Sequence, residues 1–378
     1  MNVNLYRNTD KILGSVICTI LGLAPKKNDF GKINSIAIIK LWAVGESVLT
    51  LPMIHSIKEK YPQAKITVIA RKRNYAVYCG LDFIDEIILF EPENLWQAIK
   101  LFKKFDLAID CEPYLNISAI IGRFIAKKQI GFAHGARAKL YNQSIDYNDQ
   151  QHVVKTYLDL AKLLGIDKKY DALIKLKYST EDQNKIETLL KLNKISKKDA
   201  LIGVCASVAE SGKNRMWPNE NYAKLIDHII KKYNAKVLLI GAKNDLEHDK
   251  IKKLCEQQEK VINLSGKTNL KELFALVKHC KLFISNDTGP MHVAAAQGVK
   301  TIGIFGPNLP TRFAPYGAKN KSLYVKQYCS PCINVHKGAF PPCYNEIKGK
   351  CIKDITPKMA IDEVNKCLTW LKKTYKNQ

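Results

Sequence analysis

The sequence has few acidic residues and no hydrophobic run long enough to cross a membrane. It contains 35 Asp and Glu against 60 Lys and Arg, which gives a net charge of +25. The longest stretch without a charged residue runs from Ile12 to Pro25, whereas a spanning helix needs about 20 apolar residues. The shortage of acid predicts an anionic partner such as a phosphate, a nucleic acid or an anionic membrane. With 20 Gly, 14 Pro and 46% hydrophobic residues, collagen-like and disordered chains are excluded.

The charge-free N-terminal stretch predicts an amphipathic helix. Its apolar residues fall on one helical face: Ile12, Leu13, Val16, Ile17, Ile20, Leu21 and Ala24. Small and polar residues fall on the other: Gly14, Ser15, Cys18, Thr19 and Gly22. We predict that this helix lies on the cytoplasmic face of the inner membrane, peripherally bound, with Lys26, Lys27 and Lys32 near lipid phosphates. Two alternatives stay open: a helix packed on the protein's own core, and a secretion signal cleaved after Gly22-Leu23-Ala24.

The 11 cysteines fall into two groups. Seven are scattered, several of them in apolar runs, which is typical of reduced cysteines in a cytoplasmic protein. The other four are clustered: Cys329, Cys332, Cys343 and Cys351. Four thiols that include a Cys-x-x-Cys pair fit a structural zinc site, and structural cysteines, reduced or paired in disulfides, are the alternative.

From Ser35 onward, short β-branched runs alternate with amphipathic helical stretches, and a second such series begins near Leu201. Ten strands are predicted in this way, beginning with Ile36–Ile39 and ending with Thr301–Phe305. Alternating strands and helices predict an α/β fold with two Rossmann-like domains, whose parallel sheets face each other across a cleft. We divide the chain into an amphipathic segment, an N-terminal domain, a charged linker, a C-terminal domain and a final helix, at residues 1–34, 35–176, 177–198, 199–355 and 356–378.

Because open α/β sheets bind ligands at the carboxyl ends of their strands, the residues that directly follow strands are the candidate site. Gly45 and Glu46 follow the first strand, and a carboxylate at a helix N-terminus can act as a general base. Asp287, Thr288 and Gly289 follow the strand Leu282–Ser285 and predict an anion site, with His292 one turn into the next helix.

Cations and acids follow two further strands of the second series. Ser207, Lys213 and Arg215 come after the strand Leu201–Ala206, and Arg215 can hold a phosphate with two hydrogen bonds. Asp245, with Glu247 as the second choice, follows the strand Val237–Ile240 and can accept hydrogen bonds from ribose hydroxyls. Each of these residues also has a purely structural interpretation, as a helix cap or a surface charge.

Taken together, the four motifs resemble the ADP-heptose:lipopolysaccharide heptosyltransferases of glycosyltransferase family 9. The resemblance extends from about Ser35 to Leu368, and its most specific segments are Ile36–Pro52 and Asn286–Ala296. Arg215-Met-Trp-Pro218 and Phe305-Gly-Pro307 add to it.

The resemblance implies a GT-B fold and inverting transfer of a heptose from an ADP-sugar to a lipid-linked saccharide, without a catalytic metal or cofactor. It places the acceptor in the N-terminal domain and the nucleotide in the C-terminal domain. It makes Glu46 the catalytic base, Arg215 a phosphate ligand, Asp287, Thr288, Gly289 and His292 the donor loop, and Asp245 the ribose contact. The chain contains no Asp-x-Asp motif, with which other glycosyltransferases bind a divalent cation.

The sequence departs from the family pattern in two places that bear on specificity. The family usually has Asp at the position of Glu46, and the loop 207–214 is longer and more polar than the family pattern predicts. The family also usually has Lys at the position of Arg215. Glutamate adds one methylene, which moves the carboxylate by roughly 1 Å, and displacements of that size affect rate. We therefore keep two alternatives: another GT-B enzyme that uses a UDP- or GDP-sugar, as a transferase or an epimerase, and a non-enzymatic basic phosphate-binding protein. The sequence has no compact run of basic residues with interleaved aromatic residues, so we predict no nucleic-acid partner.

Overall fold

The structure is a computed structural model that describes residues 7–26, 29–91, 97–208, 210–243 and 245–369. It confirms the predicted α/β fold with two parallel sheets. The chain forms two compact units, one of residues 1–170 with 334–339, the other of residues 171–333 with 340–378. Lys27 and the end of the final helix, predicted in residues 356–378, lie outside the described residues.

The first unit is built on a six-stranded parallel sheet in the order β3-β2-β1-β4-β5-β6. Its strands are Ser35–Ile39, Lys65–Ala70, Glu86–Leu89, Phe105–Asp110, Ala126–Ala133 and Gln143–Asp146, numbered β1 to β6. Its helices are Val44–Lys60, Lys72–Tyr78, Gln97–Lys100, Asn116–Ile125 and Val153–Lys162, with a 3₁₀ helix at Gly135–Leu140. The side chains of Ile36 to Ile39 in β1 are fully buried, as expected for a central strand covered by helices on both faces.

The second unit repeats this plan in the order β12-β11-β10-β7-β8-β9, again all parallel. Its strands are Leu201–Cys205, Lys236–Leu239, Val261–Asn263, Cys280–Asn286, Thr301–Phe305 and Lys321–Tyr324, numbered β7 to β12. Its longer helices are Thr180–Leu192, Asn219–Tyr233, Leu246–Leu254, Leu270–Val277, Gly289–Ala296 and Pro357–Cys367, and its short ones are Pro310–Phe313 and Lys350–Lys353. The stretch 177–198, predicted as a linker, lies within this unit.

The N-terminal segment forms a π-helical turn, Asp10–Gly14, which continues into the α-helix Ser15–Leu21. Cys18 is fully buried against the first unit, whereas the apolar residues from Ile12 to Leu21 are 40–66% exposed. The predicted division into two faces is therefore confirmed. The helix packs on the protein itself through its small residues, while its apolar residues are exposed. In the part of the chain that the structure describes, no helix is long and apolar enough to cross a membrane.

Candidate active site

In each unit the strand that comes first in the chain lies inside the sheet. The chain adds the next strands on one side of it and then crosses over to its other side. In the first unit β1 pairs with β2 on one side and β4 on the other, and in the second β7 pairs with β8 and β10. The loops that follow such neighbouring strands diverge and leave a crevice at their carboxyl ends, where α/β proteins bind ligands. Most of the predicted site residues follow β1, β7 or β10.

Glu46 lies in the first turn of the helix Val44–Lys60, at the crevice between β1 and β4. Its side chain is 14% exposed, and its Oε2 lies 2.7 Å from the Nζ of Lys40. The hydroxyl of Tyr157 donates to the same oxygen at 3.3 Å. Among the described residues no hydrogen bond reaches Oε1, so that oxygen is left to accept a proton from a ligand.

Lys40, which precedes the helix, is fully buried between two carboxylates. Its Nζ lies 3.2 Å from Oε2 of Glu112, and Oε1 of Glu112 accepts from the backbone N–H groups of Leu41 and Trp42 at 2.7 and 2.8 Å. Burial alone would lower the pKa of Lys40, but Glu112 and Glu46 outweigh it and hold that pKa well above its usual value. Lys40 therefore stays charged and fixes the carboxylate of Glu46.

A second buried pair supports Glu112. Asp110, the last residue of β4, accepts from Arg137 at 2.6 Å, from Tyr141 at 2.9 Å and from Ser118 at 2.9 Å, while its Oδ1 accepts from the N–H of Glu112 at 3.0 Å. Asp110 and Arg137 are both fully buried. Paired and hydrogen-bonded buried charges of this kind hold a site in one geometry.

In the second unit, Arg215 and Asp287 come together at the crevice between β7 and β10. Nη1 of Arg215 donates to the backbone oxygen of Asp287 at 2.9 Å and lies 3.5 Å from its Oδ2. Asn308 donates to the same carboxylate oxygen at 2.9 Å. Nε of Arg215 is buried, and no described residue forms a hydrogen bond with it. A Cβ at Gly212 would collide with the guanidinium. A guanidinium with a buried N–H that still lacks an acceptor is suited to binding a phosphate.

The predicted donor loop begins the helix Gly289–Ala296. Thr288 occupies the N-cap position, but its side chain does not cap the helix and instead lies 3.1 Å from the hydroxyl of Ser285. His292 is 3% exposed, and burial lowers its pKa to about 3. Within the described part of the chain, its Nδ1 has no hydrogen-bond partner. His292 is therefore neutral and buried behind the loop.

Asp245, the predicted ribose contact, is almost fully buried. Its side chain is 3% exposed, accepts from the N–H of Glu247 at 3.2 Å and lies 3.2 Å from Nδ1 of His248. Nε2 of His248 accepts from the N–H of Ala206 at 3.1 Å, so Nδ1 carries the proton and faces Ser265 at 2.7 Å. Asp245, His248 and Ser265 thus form a buried polar group that joins the ends of β7, β8 and β9.

Three other predicted residues lie at this end of the sheet. Glu247 is 26% exposed and pairs with Lys250, and Asn219 also donates to it. Lys213 is exposed, and after Lys250 and Asn219 its charge helps to lower the pKa of Glu247. Ser207 is half-buried beside Gly241. Glu247, rather than Asp245, is the acid at this edge that a ligand can reach.

The four clustered cysteines line one small pocket together with residues that include Pro307 and Asn345. Cys329 accepts from Asn345 at 3.5 Å and Cys343 from the N–H of Gly349 at 3.4 Å, which lowers the pKa of Cys343. Burial, and then the other three thiols, raise the pKa of Cys351 to about 11. All four are free thiols. Within the described ranges, no three His, Cys, Asp or Glu side chains are arranged to hold a metal ion.

Comparison with known proteins shows the family. Residues 93–339 match the model of glycosyltransferase family 9 (heptosyltransferase). The chain belongs to glycosyltransferase family 9. It is 30% identical over 337 residues to the lipopolysaccharide core heptosyltransferase OpsX of Haemophilus influenzae, covering 84% of this chain and 92% of that one. It is 29% identical to lipooligosaccharide heptosyltransferase 2 of the same organism, covering 89% and 99%. The protein is therefore a glycosyltransferase, as the sequence predicts.

A solved structure has the same fold. The E. coli ADP-heptose lipopolysaccharide heptosyltransferase II matches with a TM-score of 0.72 and 23% identity, over 89% of this chain and 99% of that chain. This supports the predicted GT-B fold. Arg215 and Asp287 lie inside the matched family region, whereas Glu46 precedes it.

Proposed function

We propose that the protein transfers a heptose, or a related sugar, from an ADP-sugar to a saccharide of a lipopolysaccharide core or a similar lipid-linked glycan, with inversion at the anomeric carbon. The observation that carries the proposal is Glu46, a carboxylate held at a sheet crevice by Lys40 and Tyr157 with its second oxygen available. The relatives named as heptosyltransferases support the choice of sugar and acceptor.

In this proposal Glu46 removes the proton from the attacking hydroxyl of the acceptor. The oxygen then attacks the anomeric carbon of the donor, the bond to the diphosphate breaks, and the nucleoside diphosphate leaves with the electron pair. A single displacement by one base inverts the anomeric configuration. Lys40 keeps the carboxylate oriented before attack.

The leaving diphosphate acquires negative charge, which the second unit is equipped to stabilise. Arg215 supplies a guanidinium whose buried Nε has no hydrogen-bond partner among the described residues. Thr288 and Gly289 begin a helix whose dipole favours an anion. We assign the donor nucleotide to this unit and make Glu247 its candidate ribose contact. No step in this scheme calls for a metal ion.

Transfer assays test the proposal directly. The full-length protein is incubated with radiolabelled ADP-heptose, UDP-sugar or GDP-sugar and a deacylated lipopolysaccharide core. We expect label in the glycan only with the ADP-sugar, and an anomeric configuration opposite to that of the donor by NMR. Transfer from a UDP- or GDP-sugar supports the alternative GT-B enzyme, and binding without transfer supports the non-enzymatic alternative.

A structural zinc ion at the four cysteines is a separate proposal. Four thiols around one pocket fit zinc in type and number, but zinc binding requires the sulfur atoms to rotate toward one another, because they are not arranged as ligands. We expect one zinc per chain by elemental analysis, and none in the Cys343→Ser/Cys351→Ser variant. A metal-free protein with four alkylatable thiols contradicts the zinc site.

A further inference from the structure

The N-terminal helix turns its apolar face to solvent. In the part of the chain that the structure describes, 17 large hydrophobic side chains are exposed, and seven of them lie between Ile12 and Leu23. Their exposed fractions range from 40% for Leu21 to 82% for Leu23. A surface helix of a globular domain normally turns such a face toward the core, and an apolar patch of this kind marks an interaction site.

The opposite face is held against the first unit by close packing. Gly14 and Cys18 are buried, and a Cβ at Gly14 would collide with the side chain of Asn116. One turn beyond Cys18, a Cβ at Gly22 would collide with Lys139. The helix backbone therefore lies directly on the unit along this line of small residues, and the helix cannot roll over to bury its apolar face.

Polar contacts fix the same orientation. The carboxylate of Asp10 accepts from the N–H groups of Asn116 and Ile117 at 2.9 and 2.8 Å, and so caps the helix Asn116–Ile125. The amide of Asn116 donates back to the carbonyl of Asp10 at 2.9 Å. Asp10 is the one acidic residue between Arg7 and Lys26, so the exposed side of the segment carries no negative charge.

Basic residues lie beside this helix. Lys139 packs against Gly22 and is exposed. Nζ of Lys26 donates to the carbonyl oxygens of Lys139 and Tyr141 at 2.6 and 2.8 Å. Burial, and then the positive charge of Arg123, lower the pKa of Lys26. Lys26 therefore has both Lys139 and Arg123 as neighbours. We call this surface the apolar–basic face: Ile12 to Leu23, Lys26, Arg123 and Lys139.

We propose that the apolar–basic face docks on an anionic lipid bilayer. Apolar side chains enter the headgroup region while the neighbouring cations meet the lipid phosphates, and a helix this short lies in the surface rather than crossing it. Charge complementarity selects the bilayer over a second copy, because two such faces would bring their cations together. The proposal rests on the proposed function only for its purpose, which is to bring the enzyme to a lipid-linked acceptor.

Co-sedimentation of the full-length protein with vesicles tests the docking. We expect binding to phosphatidylcholine vesicles that contain phosphatidylglycerol, weaker binding at high salt, and weaker binding to phosphatidylcholine alone. Val16→Glu/Ile20→Glu should lower the partition coefficient about tenfold or more, since it places two carboxylates among the lipids. Arg123→Gln/Lys139→Gln should lower it about fivefold per cation for anionic vesicles only.

A matched control is Leu192→Glu/Leu246→Glu, which changes two leucines of the second unit that are 76% and 68% exposed. It should bind like the wild type. Equal binding by all variants, or no binding by the wild type at low salt, overturns the proposal. So does a wild-type dimer in light scattering that Val16→Glu/Ile20→Glu dissociates, because a second copy then covers the face.

Transfer to a water-soluble acceptor separates this proposal from the proposed function. Val16→Glu/Ile20→Glu should retain wild-type transfer to the deacylated core while it loses vesicle binding. If the wild type binds vesicles but transfers no sugar, the proposed function fails and the docking face stands. Substitution is preferred to deletion of residues 1–30, which would also remove the Asp10 cap.

Discussion

The ammonium nitrogen of Lys40 lies 2.7 Å from Oε2 of Glu46, and the lysine is fully buried while the glutamate is 14% exposed. One end of this ion pair is therefore anchored in the protein, and the other is open to solvent. The ion pair fixes the orientation of the carboxylate, and the proposed role of Glu46 as the base requires such a fixed orientation.

The first prediction concerns the charge of Glu46. Glu46→Gln keeps the shape of the side chain but cannot take a proton, so we expect the transfer rate to fall at least 100-fold, the lower end of what general-base catalysis contributes. Calorimetric affinity for ADP should stay within about threefold of wild type, because the nucleotide is assigned to the second unit. Glu59→Gln, which changes a half-exposed carboxylate of the same helix, is the control. Transfer by Glu46→Gln within tenfold of the wild type contradicts the role of base.

Lys40→Met tests the buried cation. It leaves Glu112 buried at 1% exposure without its charge partner, and removing one member of a buried pair costs about 3–5 kcal/mol of unfolding free energy. Urea denaturation measures this loss. Lys58→Met, which breaks the surface pair with Asp85, should cost at most about 1 kcal/mol. Adding Glu112→Gln to Lys40→Met should restore part of the stability, and no restoration would contradict a charge-based cost.

Arg215→Ala and Asp287→Ala test the nucleotide site. Each removes a charge-assisted hydrogen bond or the group that orients it, so we expect ADP binding to weaken by about 1.5–3 kcal/mol in calorimetry. Arg215→Lys should recover part of the affinity through its charge but not the fork geometry. Lys253→Ala, an exposed lysine of the same unit, is the control. Unchanged affinity in both alanine variants would move the donor site elsewhere.

Most strands could be predicted from the sequence because they are short apolar runs, rich in β-branched residues and bounded by helices. All ten predicted strands are present, including β3 and β9 at one edge of each sheet. The two that the sequence analysis missed, β6 at Gln143–Asp146 and β12 at Lys321–Tyr324, are four residues long and lie at the other edges. Both contain several polar residues, so neither has a continuous apolar run to identify it.

The supporting residues of the site could not be found in the same way. Lys40 and Glu112 are 72 positions apart in the chain and meet because β1 pairs with β4, with Ile39 opposite Asp110. A lysine at the end of a strand gives no local sign that it will be fully buried. Asp245 shows a related limit: an acid after a strand has the same pattern whether it caps a helix or binds ribose, and the sequence gives no sign of its contact with His248.

The last prediction concerns acid stability and follows from His292. Burial lowers its pKa from 6.5 to about 3 in the folded protein, while the unfolded chain titrates near the ordinary value. Below pH 6.5 the unfolded state therefore binds a proton that the folded state does not, and stability is lost as the pH falls toward about 3. The slope for one group is about 1.4 kcal/mol per pH unit.

His292→Leu removes this linkage together with a buried Nδ1 to which no described residue forms a hydrogen bond. We expect its unfolding free energy to match or exceed that of the wild type at pH 7.5, and the gap to widen in its favour by about 1.4 kcal/mol per unit as the pH is lowered from 6.5 toward 4. Denaturant titrations at several pH values measure the gap. Met291→Leu, at the neighbouring buried position, should shift stability equally at every pH, because methionine does not titrate. A constant gap between His292→Leu and the wild type would show that His292 is not held neutral by its surroundings.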